Sequence, residues 1–231
     1  MDYENWKPIY TEILKDFNFS KQKDTKAAEI LNYLLDDKDI LPISKIKNII
    51  QNKDVVVFGA GPSLVNQIKK HLDFLKDKIL ITADGATSAL LKYKIKPDII
   101  VTDLDGKISD QIQSNSNGSI VVIHAHGDNI LKLKNYVPKF KKSIIGTTQT
   151  NPAQFQNLHN FGGFTDGDRG VFIADHFKAK NIFLIGFDFN GKIGKYSFSK
   201  KKNKKIKLKK LKWCKYLVNL LNNRKKIFEI S

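Results

Sequence analysis

Cysteine is almost absent from these 231 residues: Cys214 stands alone, which excludes an intramolecular disulfide and any cysteine-built metal site. Arginine is nearly as scarce. Only Arg169 and Arg224 occur among 40 basic residues, so an arginine in the body of the chain stands out against lysine. No apolar run approaches the roughly 18 residues that a membrane-spanning helix needs. The N-terminal stretch MDYENWKPIYTEILKDF carries several acids and no apolar core segment, so no secretory leader is read and a cytoplasmic protein is expected. A wholly disordered or fibrous chain is excluded as well, because 41% of the residues are hydrophobic and 10% aromatic.

Acid is what the C-terminal end lacks. From Lys192 onward there are 15 basic residues against one acid, Glu229, whereas residues 1–191 carry 25 bases against 22 acids. The formal charge of +17 is therefore +14 at one end and +3 elsewhere. Bulk charge of this size points to polyanions such as nucleic acid or a membrane surface. The segment has few interleaved aromatics beyond Trp213 and Tyr216, which ranks a nucleic-acid partner last. Residues 191–231 read as a lysine-rich linker, with the run Lys200–Lys205, followed by a basic amphipathic helix. Its Leu208, Leu211, Leu217, Val218 and Leu221 dock on the core, and the lysines form a solvated appendage.

Residues 1–53 read as a helical layer without visible chemistry, with Ile9, Ile13 and Leu14, then Ile30, Leu31, Leu34 and Leu35, then Ile46, Ile49 and Ile50 at helical spacing. From Asp54 to Asn190 the pattern changes to short β-branched runs bounded by Gly, Asp or Pro. They are 55–58, 79–81, 99–101, 120–123, 144–145 and 182–185. Continuous rather than alternating apolar runs suit strands covered on both faces. Helical stretches between them, such as the stripe Leu64, Ile68, Leu72 and Leu75, complete the pattern of an α/β fold. The expected architecture is an open, doubly wound, mostly parallel, Rossmann-like sheet with an N-terminal helical layer and a basic C-terminal helix.

In such a sheet, ligands bind beyond the carboxyl ends of the strands, and the polar residues fall there. The first run enters Gly59-Ala60-Gly61-Pro62-Ser63, whose glycines allow a tight turn and whose following helix start offers N–H groups to a phosphate. The next three strand ends deliver Asp84, then Asp103 and Asp105, then Asp128. Read as extended, Asp103 and Asp105 point to one side. Four carboxylates at one edge repel unless a cation joins them, and hard oxygen ligands suit Mg²⁺. His124 and His126 read as hydrogen-bonding groups of the cleft rather than zinc ligands. Thr147 and Thr148 suit a phosphate or ribose, and Arg169 suits bidentate phosphate contact after a glycine-rich loop that leads into a helix from Val171 to Lys178.

The series Gly59-Ala60-Gly61-Pro62-Ser63-Leu64, Ala83-Asp84-Gly85-Ala86, Thr102-Asp103-Leu104-Asp105-Gly106, His126-Gly127-Asp128-Asn129 and Gly163-Phe164-Thr165-Asp166-Gly167-Asp168-Arg169 resembles the archaeal 6-hydroxymethyl-7,8-dihydropterin pyrophosphokinase family. The aspartate pieces are also similar to thiamine pyrophosphokinase. GAGPSL resembles the motility-accessory proteins linked to flagellin glycosylation, for which a nucleotide-sugar-dependent glycosyltransferase is the alternative. The first resemblance implies Mg²⁺-dependent diphosphate transfer from ATP to a small heterocyclic alcohol, releasing AMP, with no membrane partner. It also implies that Asp103, Asp105 and Asp128 hold Mg²⁺, that Asp84 joins them as ligand or base, and that Arg169 steadies the phosphates. Asp166 or Asp168 would then meet the pterin, and related diphosphokinases imply a homodimer.

Overall fold

A computed structural model describes residues 1–191, 193–197, 204–222 and 226–231. The apolar runs belong to a sheet of eight parallel strands: β1 (Asp54–Phe58), β2 (Ile79–Ala83), β3 (Ile99–Thr102), β4 (Ile120–Ala125), β5 (Ile144–Thr148), β6 (Leu158–His159), β7 (Asn181–Ile185) and β8 (Ile227–Glu229). Their order across the sheet is β6-β5-β4-β3-β2-β1-β7-β8. Every pairing is parallel, so the sheet is wholly rather than mostly so. The chain steps outward from β1 to β6, then returns to the other flank of β1 through β7. The topological switch therefore lies between β1 and β7.

Nine helices cover both faces among the described residues: α1 (Tyr3–Phe17), α2 (Lys21–Leu35), α3 (Ile43–Ile50), α4 (Leu64–Lys70), α5 (Ala86–Lys92), α6 (Ile108–Ser116), α7 (Ile130–Tyr136), α8 (Asp166–His176) and α9 (Lys204–Asn222). Successive strand residues point to opposite faces. Val55 and Val57 pack with Ile81, Val101, Trp6 of α1, Ile46 of α3, Phe172 of α8 and Leu217 of α9. Val56 and Phe58 pack with Leu64, Ile68 and Leu90. Farther along that second face, Val121 and Ile123 meet Leu31 and Leu35 of α2. Covering on both sides is why the strands read as unbroken apolar runs.

Three features depart from the sequence reading. The helix expected from Val171 begins at Asp166, because Thr165 and Asp168 cap it reciprocally. Gly170 then lies inside α8, where a Cβ would stand 3.0 Å from a Val57 methyl, so the glycine lets the helix approach the sheet. Second, the C-terminal helix docks on the core as its apolar face requires, but Lys207 and Lys210 are half-buried rather than solvated. Cys214, Leu217, Val218 and Leu221 bury α9 against the core, and β8 extends the sheet beside β7. Third, the two-residue β6 and three-residue β8 carry too little pattern to be read as strands. Much of the expected linker, including Lys200–Lys202, lies outside the described residues. No described helix is long and apolar enough to cross a membrane.

Candidate active site

The carboxyl ends of the strands form a cleft with two adjoining cavities. The switch-point cavity, about 220 Å³, lies between the β1 and β7 ends and is walled by Gly59, Gly61, Asp84, Asp166, Tyr196 and Lys207 among others. The inner cavity, about 160 Å³, lies beyond β4 and is walled by Phe19, Asp24, His124, His126, Gln149 and Arg169 among others. Asp103, Phe164 and Lys210 line both.

Asp84, Asp103 and Asp166 bring carboxylate oxygens within 4.8 Å of one another. Backbone geometry puts them there. Asp84 follows β2 at φ +29° and its Oδ1 accepts hydrogen bonds from Thr102 Oγ1 and Gln111 Nε2, both at 2.7 Å. Asp103 follows β3, and its N–H faces Asp166 Oδ2 at 3.4 Å. Asp166 opens α8, with Oδ1 accepting from Arg169 Nη1 at 2.9 Å. Burial and then the Asp103 charge raise the Asp84 carboxyl to about 6. The same two causes hold Asp166 well above the usual range. Burial also pushes Asp103 upward, but the imidazole of His126, whose Nε2 stands 3.3 Å from Asp103 Oδ2, outweighs it together with Lys210 and Arg169 and leaves Asp103 below the usual range. Asp103 Oδ1 is buried without a hydrogen-bond partner. Three hard oxygen donors, one of them unpartnered, suit a divalent cation.

Asp105 and Asp128 stay apart from this trio. Leu104, at φ +66° and buried, turns the chain after β3, so Asp103 and Asp105 do not share a side as an extended segment would require. Asp105 is exposed and paired with Lys132. Asp128 is exposed, and its N–H donates to His126 Nδ1 at 3.3 Å. Both carboxylates stand on the cavity rims.

The remaining expected residues divide similarly. Gly59 and Gly61 line the switch-point cavity and lie so close to Gly186 O that an added Cβ would stand 2.7 and 2.6 Å away. Pro62 and Ser63 are absent from its wall, and the N–H and Oγ of Ser63 donate to Asp188 Oδ2 at 3.0 and 2.8 Å. An internal carboxylate thus occupies the place foreseen for a phosphate. Thr147 and Thr148 are 2% exposed, because α2 covers that part of the sheet. Thr147 Oγ1 donates to Ile123 O at 3.1 Å, and Thr148 Oγ1 pairs with Thr150 Oγ1 at 3.0 Å, so neither hydroxyl meets either cavity. Asp168 is fully buried and accepts from the N–H groups of Phe164 and Thr165 and from the Thr165 hydroxyl. It is a helix cap out of a ligand's reach. Arg169, 3% exposed, donates from Nη2 to Phe164 O at 3.0 Å besides gripping Asp166. Its Nε is buried and unpartnered.

Sequence reasoning missed three participants. Asp24 of α2, buried, accepts from Tyr10 OH at 2.7 Å, Gln149 Nε2 at 2.8 Å and Gly127 N–H at 2.7 Å. It ties the helical layer to the β4 and β5 ends. Lys207 and Lys210 come from α9. Lys210 Nζ lies 5.5 Å from the Phe164 ring centroid, and Lys207 Nζ donates to Ser197 Oγ at 2.9 Å. Burial, with the Lys210 charge, holds the Lys207 ammonium below its usual range against the opposing pull of Asp103 and Asp84.

Fold and cleft define the class: a parallel-sheet α/β protein whose carboxyl edge sets three carboxylates against buried or half-buried cations. The family model for "6-hydroxymethylpterin diphosphokinase MptE-like" matches residues 31–194, and the chain belongs to that family. Relatives named 6-hydroxymethyl-7,8-dihydropterin pyrophosphokinase are similar over most of its length. The protein of Methanocaldococcus jannaschii is 45% identical over 97% of both chains, and that of Pyrococcus furiosus 46% over 100% of both. The protein of Methanothermobacter thermautotrophicus is 45% identical over 85% of this chain and 83% of its own. Among solved structures, a MAf glycosyltransferase from Magnetospirillum magneticum AMB-1 aligns with 71% of this chain and 28% of its own, at TM-score 0.41 and 15% identity, too slight a likeness to carry an argument.

Proposed function

We propose that the chain transfers diphosphate from ATP to 6-hydroxymethyl-7,8-dihydropterin, giving AMP and the pterin diphosphate, with Mg²⁺ as the cation. The observation that carries this reading is the meeting of Asp84, Asp103 and Asp166 with Lys207 and Lys210 on one cavity wall at the switch point. Family membership supplies the reaction class, and the relatives' names supply the acceptor.

In the transfer, the acceptor hydroxyl oxygen bonds to the β-phosphorus, the bond from that phosphorus to the α-phosphate oxygen breaks, AMP leaves and the hydroxyl proton is released. Such a reaction depends on positioning and charge neutralisation rather than on covalent help from the protein. Mg²⁺ held by Asp84, Asp103 and Asp166 would neutralise polyphosphate charge. Lys207 and Lys210 supply ammonium groups to the phosphate oxygens, and Lys210, at the seam between the cavities, stays with the group that crosses. Arg169 acts through Asp166, which it fixes with a charge-assisted bond. The test is purified protein with ATP, Mg²⁺ and a panel of hydroxymethyl heterocycles including thiamine. Equimolar AMP and pterin diphosphate are expected. No AMP with the pterin overturns the reading, and AMP with thiamine alone moves the acceptor.

A further inference from the structure

The two cavities differ in what they offer a ligand, and the difference divides the substrates between them. The switch-point cavity is the larger, lies where nucleotides sit in open parallel sheets, and carries the lysines. The inner cavity has polar groups that the protein leaves unsatisfied. His124 is 2% exposed, its Nδ1 lies 3.1 Å from Thr147 Oγ1, and its Nε2 has no hydrogen-bond partner. Arg169 Nε, on the same wall, is also buried and unpartnered. Buried polar groups without partners are costly to leave so, and a cavity lined by them is built for something that completes them.

Resting on the diphosphokinase reading, we infer that the inner cavity binds the flat nitrogen heterocycle of the acceptor, while the nucleotide occupies the switch-point cavity. Donor and acceptor groups in one wall suit a ring edge that alternates N–H donors with nitrogen and oxygen acceptors. A cavity of roughly 150 Å³ accommodates a single small aromatic ring, so at about 160 Å³ the inner cavity takes the pyrimidine half of the heterocycle and leaves its other end toward the shared wall. Phe19 and Phe164, with ring centroids 6.5 Å apart, supply apolar walls for the ring faces. The placement aims the hydroxymethyl group at Asp103 and Lys210, the side chains that both cavities share, and thus at the β-phosphorus. It also assigns a role to the N-terminal layer, since Phe19 and Asp24 come from the segment joining α1 to α2 and from α2 itself.

The test is calorimetric titration of the full chain with an ATP analogue carrying a methylene between the α- and β-phosphorus, then with the pterin in its presence. His124→Ala and Phe19→Ala are expected to weaken pterin binding at least tenfold and to leave the analogue within twofold. Tyr196→Ala and Lys207→Ala are expected to do the reverse. Phe19 is half-buried, so its variant keeps the test open should His124→Ala fail to fold, which a thermal melt would show. Weakened analogue binding with intact pterin binding in the folded inner-cavity variants overturns the assignment, as does no change in either ligand. A wild-type chain that binds no pterin and releases no AMP overturns the diphosphokinase reading itself. AMP release by wild type with unmoved variants overturns only the division of the cavities.

Discussion

Two sets of aspartates stand at the same edge of the sheet and differ in nearly every physical respect. Asp84, Asp103 and Asp166 are half-buried, crowd within 4.8 Å and perturb one another's protonation. Asp105 and Asp128 are exposed, and Asp105 already has Lys132 for a partner. The contrast teaches that position at a strand end does not by itself make a carboxylate part of a cation site. What decides is the turn taken by the next residue, here Leu104 at positive φ, and the arrival of a carboxylate from a distant helix.

The largest effect expected from this contrast is on turnover. Asp103→Asn should cut AMP release by about 100- to 1,000-fold, the usual range for loss of one electrostatic stabiliser of a transition state, with the variant still folded. Asp105→Asn and Asp128→Asn should stay within about threefold, since an exposed ion pair is worth roughly 1 kcal/mol or less. Equal losses at Asp103 and Asp105 in the same assay would dissolve the distinction between trio and rim.

A smaller effect is expected from the lysines that face the trio. Lys207→Ala should raise the KM for ATP by roughly 10- to 100-fold, as loss of a hydrogen bond to a charged group predicts. Steady-state kinetics with varied ATP check this. An unchanged KM would return Lys207 to a purely structural role beside Ser197.

Cation and pH should move stability by less. The raised carboxyls of Asp84 and Asp166 bind protons more tightly folded than unfolded. Their stabilisation is complete below the ordinary carboxylate range and is lost as pH rises, through about 6 for Asp84. Asp103 has the opposite sign, but its loss falls below the usual carboxylate range and leaves this window untouched. Relative to Asp84→Asn, the cation-free wild type should therefore lose thermal stability between about pH 4.5 and pH 7. Saturating Mg²⁺ at pH 7 should return about 5–10 °C, the shift expected from roughly 2.7 kcal/mol of ligand binding in a domain of this size. Parallel melting curves for the two proteins at every pH would contradict the perturbed state of Asp84.

The smallest effect concerns packing under the trio. Gly170→Ala places a methyl 3.0 Å from Val57 and should destabilise α8 by about 1–3 kcal/mol through overpacking, measured by denaturant unfolding. An unaltered midpoint would mean that α8 can move away from the sheet.

Much of the architecture was legible because parallel strands covered on both faces leave unbroken β-branched runs, as Val55 to Phe58 do. Asp84 and Asp103 were legible as candidates because each ends a strand, and Asp166 because the resembling motif series carries it. Their grouping was not, since it depends on positive φ at Asp84 and Leu104 and on α8 crossing over β1, β2 and β3. The cap formed by Thr165 and Asp168 had a readable signal, a Thr followed three residues later by an acid. Asp24 had none, because its bonding partners Gly127 and Gln149 are 103 and 125 residues away. Lys207 and Lys210 were hidden by their own kind. Among so many lysines, nothing local marks the two whose helix face is turned into the cleft by the burial of Leu217 and Leu221.

The most direct measurement counts bound cation rather than product. Titration of the chain with Mn²⁺, followed by electron paramagnetic resonance in the absence of nucleotide, reads occupancy of the carboxylate trio. The expected result is a saturable site in wild type that persists in Asp105→Asn and Asp128→Asn and disappears in Asp103→Asn. Binding that survives Asp103→Asn, or that vanishes with Asp105→Asn or Asp128→Asn, would contradict it.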